Sequence, residues 1–210
     1  MVSHHGSAIS NEHYTPRAII DYTKLLIGDV ELDPASDDIG NRVVKAKRYF
    51  TKAKDGYKQE WVANTVFCNP PGKTKDNMSV PGQSDWFLKM VDQHRKGNFR
   101  EGIFIGYSIE LLCKVGFRAF EYCLCVPQPG KLTDHASFVT GMGRLMFDKY
   151  DPNTDTRIRQ RSPMHGNVIV FFPTIGDNAN MRVSAFRKLF KSLGAIHVST
   201  DYLIGTKYAV

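Results

Sequence analysis

Near the middle of the chain an apolar run, Val66-Phe67-Cys68, empties into Asn69-Pro70-Pro71-Gly72. Two consecutive prolines cannot continue a sheet ladder, and a residue before proline is driven toward extended geometry. Asn69 is therefore expected at the end of a strand with its carboxamide projecting outward. Strand ends are where α/β enzymes keep their chemistry. A carboxamide oxygen and adjacent backbone carbonyls held rigidly there form an acceptor cluster suited to both N–H hydrogens of an exocyclic amine. Such an amine is a poor nucleophile because its lone pair is delocalised into the ring, and acceptors holding both hydrogens in tetrahedral geometry localise that pair for attack. The tripeptide points to methylation of an amino group, and equally to a plain turn after a buried strand, so its surroundings must decide.

The elements that would position Asn69 can be read from periodicity. Thr15 and Pro16 suit the cap and first position of a helix running to Leu26 and stopped by Gly28. Asp29 to Asp33 alternates polar with apolar residues and halts at Pro34, which places Asp33 at a second strand end. A helix over Asn41 to Lys47, a weak strand over Arg48 to Thr51 and an Asp55-Gly56 turn lead to the strand ending at Cys68. Residues 72–84 lack apolar periodicity and read as a long loop beside the presumptive site. An amphipathic helix over Asp85 to His94 should turn Trp86, Phe87, Met90 and Val91 inward. Then follow a buried strand over Gly102 to Gly106, a helix from Ile109 to Phe120, and a strand through Cys123 and Cys125. The remainder offers a strand over Arg144 to Phe147, a polar linker, a strand over Asn167 to Phe172 and a basic helix over Arg182 to Leu193. Strands alternating with helices, then two late strands without a helix between them, predict a largely parallel α/β sheet finished by a reversed strand.

Composition narrows the partners. The chain has 210 residues, 42% of them apolar, enough for one α/β domain, expected over residues 14–210 behind a flexible tail over residues 1–13. Lys and Arg number 28 against 21 Asp and Glu, a net charge of +7 that favours a polyanionic partner. The four cysteines lack a Cys-x-x-Cys knuckle, so buried reduced thiols are expected and no metal site. No membrane span or signal-peptide core is visible, and the expectation is a soluble cytoplasmic protein.

Taken in order, Tyr14-Thr15-Pro16-Arg17, Leu32-Asp33-Pro34-Ala35-Ser36, Asn41, Tyr49-Phe50-Thr51, Asp55-Gly56, Trp61 and Asn69-Pro70-Pro71 resemble the bacteriophage Dam-type DNA N6-adenine methyltransferases. Gly143 to Phe147 and Ser162 to Val170 are similar to that family's terminal strands. The resemblance implies a Rossmann-like fold, S-adenosylmethionine as cofactor, DNA as substrate and a phage or prophage setting. It implies that Asn69, Pro70, Pro71 and Gly72 form the catalytic loop. Tyr14, Thr15 and Pro16 would lie near the cofactor's methionine moiety, and Asp33, with Pro34, Ala35 and Ser36, near its ammonium group. Asp55 would receive its adenine amine. Each has a plainer reading: helix capping for Thr15, turns for Asp33 and Asp55.

Two departures from the family pattern stand out. The glycine-rich cofactor loop is reduced to Ser36-Asp37-Asp38-Ile39-Gly40-Asn41, and the interval from Asp33 to Asn69 is short for two full βα units. Gly72 stands where most adenine methyltransferases carry an aromatic ring that stacks on the flipped base. Tyr107, after the next strand, is the first substitute, and Phe99 the second. Nucleic-acid contacts are expected from Lys73 and Lys75, from Arg157, Arg159 and Arg161 as an alternating phosphate comb, and from His165; the alternatives are a solvated surface for the charges and packing on a neighbouring strand for His165. Two rival functions remain: a non-catalytic methyltransferase-like binder of DNA or protein, and a methyltransferase for another amine.

Overall fold

The computed structural model describes residues 12–72, 79–129, 138–160 and 163–199. Helix α1 (Arg17–Ile27) buries Ile19, Ile20, Leu26 and Ile27 and ends where Gly28, at φ 76°, donates its N–H to the Lys24 carbonyl. Pro16, not Thr15, occupies the cap position, and no side chain caps the helix. Next come β1 (Leu32–Asp33), α2 (Asp38–Val44), β2 (Arg48–Tyr49), a 3-10 turn over Lys52–Lys54, and β3 (Ala63–Cys68). The short interval between the two strand ends has its counterpart here: β1 and β2 are two residues each, and only the 3-10 turn lies between β2 and β3.

Helix α3 (Gln83–Arg95) buries the four apolar residues its periodicity singled out, Trp86, Phe87, Met90 and Val91. It is followed by β4 (Phe99–Gly106), α4 (Glu110–Val115), α5 (Phe117–Phe120) and β5 (Cys123–Pro127). The helix expected from Ile109 to Phe120 is broken at Gly116, whose φ of 55° no helix interior accommodates. The polar linker is a hairpin, β6 (Asp148–Asp151) and β7 (Thr156–Arg159), in register from Asp148↔Arg159 to Asp151↔Thr156. Of the strand expected over Arg144 to Phe147, the described residues show a single bridge, Val139↔Leu145. Then come β8 (Val168–Phe172), α6 (Ala179–Phe190) and β9 (Gly194–His197).

The main sheet has seven strands in the order β2-β1-β3-β4-β8-β5-β9. β2, β1, β3 and β4 are mutually parallel; β8 runs against both β4 and β5, and β9 against β5. The reversed strand, late in sequence as expected, is thus inserted inside the sheet, and a second reversed strand, β9, forms its edge. Alternation along β8 divides the core: Ile169 and Phe171 face α1 and α6, while Val168, Val170 and Phe172 face α3 to α5. Helices cover both faces, an α/β arrangement compatible with a Rossmann-like fold.

The topology creates one special place. From β1 the chain moves outward to β2 and then returns to the other side of β1 to lay down β3. At such a reversal the connections leave in opposite directions and open a crevice at the carboxyl ends of the two strands. Asp33 and Asn69 are the residues at those ends. One wall is fixed by Gly56, whose backbone packs so closely that a Cβ would lie 1.9 Å from the Pro34 carbonyl oxygen. Trp61 locks it there by donating its indole N–H to the Gly56 carbonyl (2.8 Å). Gly56→Ala is expected to destabilise the protein by about 1–3 kcal/mol through overpacking, read as a lower thermal midpoint. An unchanged midpoint would mean that the 51–61 segment is not seated on β1.

Candidate functional site

Asp33 is 3% exposed. Its Oδ1 accepts the Ala35 N–H (3.1 Å), and the Ser36 hydroxyl assists. Among the described residues no cation offsets the charge, so burial, helped slightly by the nearby Asp37 carboxylate, pushes its carboxyl up to about 7. Its field also helps hold the buried Cys68 thiol, already desolvated, in the protonated form. A buried carboxyl with no described cation beside it, at the carboxyl end of a strand, has the chemistry to receive a ligand cation.

Asn69 follows β3 on the same edge. Its Nδ2 donates to the His13 carbonyl oxygen at 2.9 Å, which fixes the orientation of the carboxamide. Pro70 is buried, whereas Pro71 and Gly72 are exposed. Among the described residues a Cβ on Gly72 would meet nothing within 4 Å. Cys68 pairs with Phe104, and β4 therefore delivers the half-buried Tyr107 to the same edge.

The segment before α1 straps these pieces together. Tyr14 forms an antiparallel bridge with Asp148 and donates its hydroxyl to Asp37 Oδ2 (2.8 Å). Asp37 also caps α2 by accepting the Gly40 N–H (2.6 Å), and Gly40 leaves room for the Tyr14 ring, only 3.4 Å from where a Cβ would stand. His13, Tyr14 and Thr15 thus touch the β3 end, the α2 cap and the β6–β7 hairpin in turn.

Of the other sequence candidates, Asp55 sits in the left-handed region (φ 47°) on the wall seated against Pro34 and pairs with Lys58 at 2.9 Å. Arg157 and Arg159 do share one face of β7, but that face turns inward: both guanidiniums clasp Asp148, Arg157 at 3.1 Å. A phosphate comb needs them outward. His165 is exposed in the loop whose Gly166 carbonyl accepts the Ile109 N–H (2.8 Å), close to Tyr107 along the edge. Phe99 is core, packed against Phe172 and His94. Lys73, Lys75 and Arg161 lie outside the described residues.

Three participants escaped the sequence. Asp37 carried a legible signal, an Asp three residues ahead of the Gly40 N–H at a helix start. Asp148 and the His13 carbonyl carried none, because their partners are far away in sequence. A hollow on the opposite edge, lined in part by Asp29, Glu31, Lys47 and Asn64, has its central carboxylate spent: Glu31 accepts the Asn64 N–H (2.7 Å) and pairs with Lys47 (3.4 Å). Among the described residues no group of three or more His, Cys, Asp or Glu is placed to hold a metal ion, and no helix is long and apolar enough to cross a membrane.

Comparison with protein families, with curated proteins and with solved structures finds no match to this chain. The carboxyl edge thus carries, at the ends of two adjacent parallel strands, a buried carboxyl and a carboxamide whose orientation is fixed.

Proposed function

We propose that this protein transfers a methyl group from S-adenosylmethionine to the N6 amine of adenine in DNA. The observation that carries the reading is that Asp33 and Asn69-Pro70 stand at the ends of adjacent parallel strands where the connections part to opposite sides, with Asp33 buried and without a cation among the described residues. S-adenosylmethionine supplies a sulfonium-activated methyl group and an ammonium for which an isolated buried carboxylate is the fitting partner. Asn69 and the Pro70 carbonyl accept the two amine hydrogens and turn the nitrogen lone pair toward the methyl carbon. As the N–C bond forms, the S–C bond breaks and its electron pair returns to sulfur; the methylated amine then releases a proton to solvent. The chain's contribution is position and polarity, with no covalent intermediate. The resemblance to the Dam-type family supplies adenine and the phage setting. The direct test is transfer of a labelled methyl group to DNA followed by nucleoside identification. Label on cytosine, or on protein instead of DNA, would replace the substrate while keeping the chemistry.

Gly72 favours one second reading, a non-catalytic binder, because an exposed glycine offers no ring for a flipped base. Tyr107 decides between the two. Tyr107→Ala is expected to depress methylation by about 10- to 100-fold, from ~1–3 kcal/mol of lost stacking, and Tyr107→Phe to retain most of it. Because no described residue would meet a Cβ at Gly72, Gly72→Tyr is expected to fold normally and to raise activity. Normal methylation by Tyr107→Ala would remove Tyr107 from the site. A wild type that binds cofactor but transfers nothing to any nucleic acid would favour the binder.

A further inference from the structure

Pairing between β3 and β4 stops at Cys68↔Phe104, yet β4 continues to Gly106 and hands over to Tyr107, Ser108 and Ile109 before α4 begins. Tyr107 therefore stands beyond the end of β3. Ser108 beside it is only 6% exposed, so the backbone of this turn must find its partners within the protein. Two buried carboxamides supply them. Gln83, the first residue of α3, accepts the Ser108 N–H at Oε1 (3.2 Å) and donates from Nε2 to the Ser108 carbonyl oxygen (3.1 Å). Asn167, just before β8, donates from Nδ2 to the Tyr107 carbonyl oxygen (2.9 Å) and accepts the Leu145 N–H at Oδ1 (2.8 Å). The Ile109 N–H goes to the Gly166 carbonyl oxygen.

Gln83 and Asn167 are 5% and 2% exposed, so water does not compete for these bonds. Each faces one N–H and one C=O, which fixes which end of each amide is nitrogen. A carboxamide offers a donor and an acceptor side by side, and can close on both backbone groups of a single residue as Gln83 does on Ser108. Apolar packing alone fills space but leaves a turn free to rotate; bonds in two directions fix position and direction together. The clamp also joins separate parts of the site. It ties Tyr107 to the start of α3, the helix that follows the Asn69-Pro70 segment in sequence, and to the start of β8.

We infer that Gln83 and Asn167 are positioning residues that aim the Tyr107 ring at the base whose amine Asn69 receives. This rests on the methyltransferase reading, with Tyr107 as the stacking ring. The test is a double-mutant cycle against Tyr107→Ala, read by single-turnover transfer of a labelled methyl group to DNA and by calorimetric titration with S-adenosylmethionine. Gln83→Met fills the space without either bond. Gln83→Glu keeps the acceptor for the Ser108 N–H and loses only the donor, and Asn167→Asp keeps the acceptor for the Leu145 N–H and loses the donor to Tyr107; these two carry the comparison if Gln83→Met does not fold. With Tyr107 present, each variant is expected to slow transfer by about tenfold while its dissociation constant for S-adenosylmethionine stays within about twofold. With alanine at 107 the same change should slow transfer by less than about twofold further, because no ring is left to aim. Residues that merely held the fold together would give the same factor in both backgrounds and would weaken cofactor binding as well. Either result overturns the clamp and leaves the methyltransferase reading standing, as does normal methylation by Tyr107→Ala alone. A wild type that transfers no methyl group to DNA overturns that reading itself, and the clamp with it.

Discussion

Asn69→Ala is expected to lose methyl transfer by at least about 10²–10³-fold while its dissociation constant for S-adenosylmethionine stays within about twofold. The carboxamide is held through Nδ2 by the His13 carbonyl oxygen. With the donor side pinned, Oδ1 is the atom left to receive an amine hydrogen; alanine removes it together with the Nδ2 bond to His13, while Asp33 stays in place and the strap keeps its Tyr14–Asp148 bridge and its Tyr14–Asp37 hydrogen bond. Asn69→Asp sharpens the test. It keeps an acceptor but loses the anchoring donor and adds a further carboxylate to the edge that already carries Asp33 and Asp37, so it should also fail in transfer and should alter the pH dependence of binding. Single-turnover transfer and calorimetric binding on the same preparations separate the two effects. A parallel loss of rate and affinity in Asn69→Ala would make Asn69 a scaffold residue for the strap and not a partner of the reacting amine.

The parts of this site that were legible in sequence are those dictated by local chain physics. Proline after Asn69 and after Asp33 ends each strand at the residue that matters, and the apolar spacing of Trp86, Phe87, Met90 and Val91 sets the burial of α3. Elements held by something other than apolar burial were not legible. The hairpin β6–β7 is half-exposed and is tied by Asp148 to Arg157 and Arg159, so its residues read as a polar linker. The edge strand β9 alternates half-buried with exposed residues over only four positions, too short a run to register. Gly116 did carry its signal, a glycine inside a proposed helix, and the helix breaks there.

Long-range pairing explains the rest of what the sequence concealed. Alternation correctly puts Arg157 and Arg159 on one side of a strand, yet nothing local says whether that side meets solvent or Asp148. The same limit applies to His13 and Asn69, which lie 56 positions apart and meet only because the strap crosses the carboxyl edge. Parallel strands bring their ends together through crossover connections, so the site is assembled from segments whose sequence separation hides their contact.

The sharpest consequence of that assembly concerns Asp33, where function and stability should pull in opposite directions. In the unfolded chain its carboxyl ionises near 3.8; in the folded protein burial pushes it up to about 7. The stability it contributes is therefore fully present below about pH 4 and is lost as pH rises through about 7, where the buried group must ionise without a counter-ion. The rise from 3.8 to about 7 sets a ceiling of about 4 kcal/mol on the loss. His94, buried and held down to about 4, tilts the other way: its contribution is present above its unfolded value of 6.5 and is lost as pH falls through about 4. The wild-type profile alone is thus a sum of opposing slopes, but His94 cancels in the difference between wild type and Asp33→Asn. Asp33→Asn should be the more stable protein without ligand above pH 7, by an amount that shrinks toward zero as pH falls to about 4. It should also bind S-adenosylmethionine about 10- to 100-fold more weakly at neutral pH, because a neutral amide replaces the ammonium's charged partner. Wild-type affinity should itself decline as pH drops below about 7, since a protonated Asp33 must lose its proton to receive the cation. Denaturant melts of both proteins from pH 4 to 8, paired with titrations over the same range, read all three effects. A stability difference flat with pH would mean that Asp33 is ionised in the folded protein, and unchanged cofactor affinity in the variant would reduce Asp33 to the turn residue that ends β1.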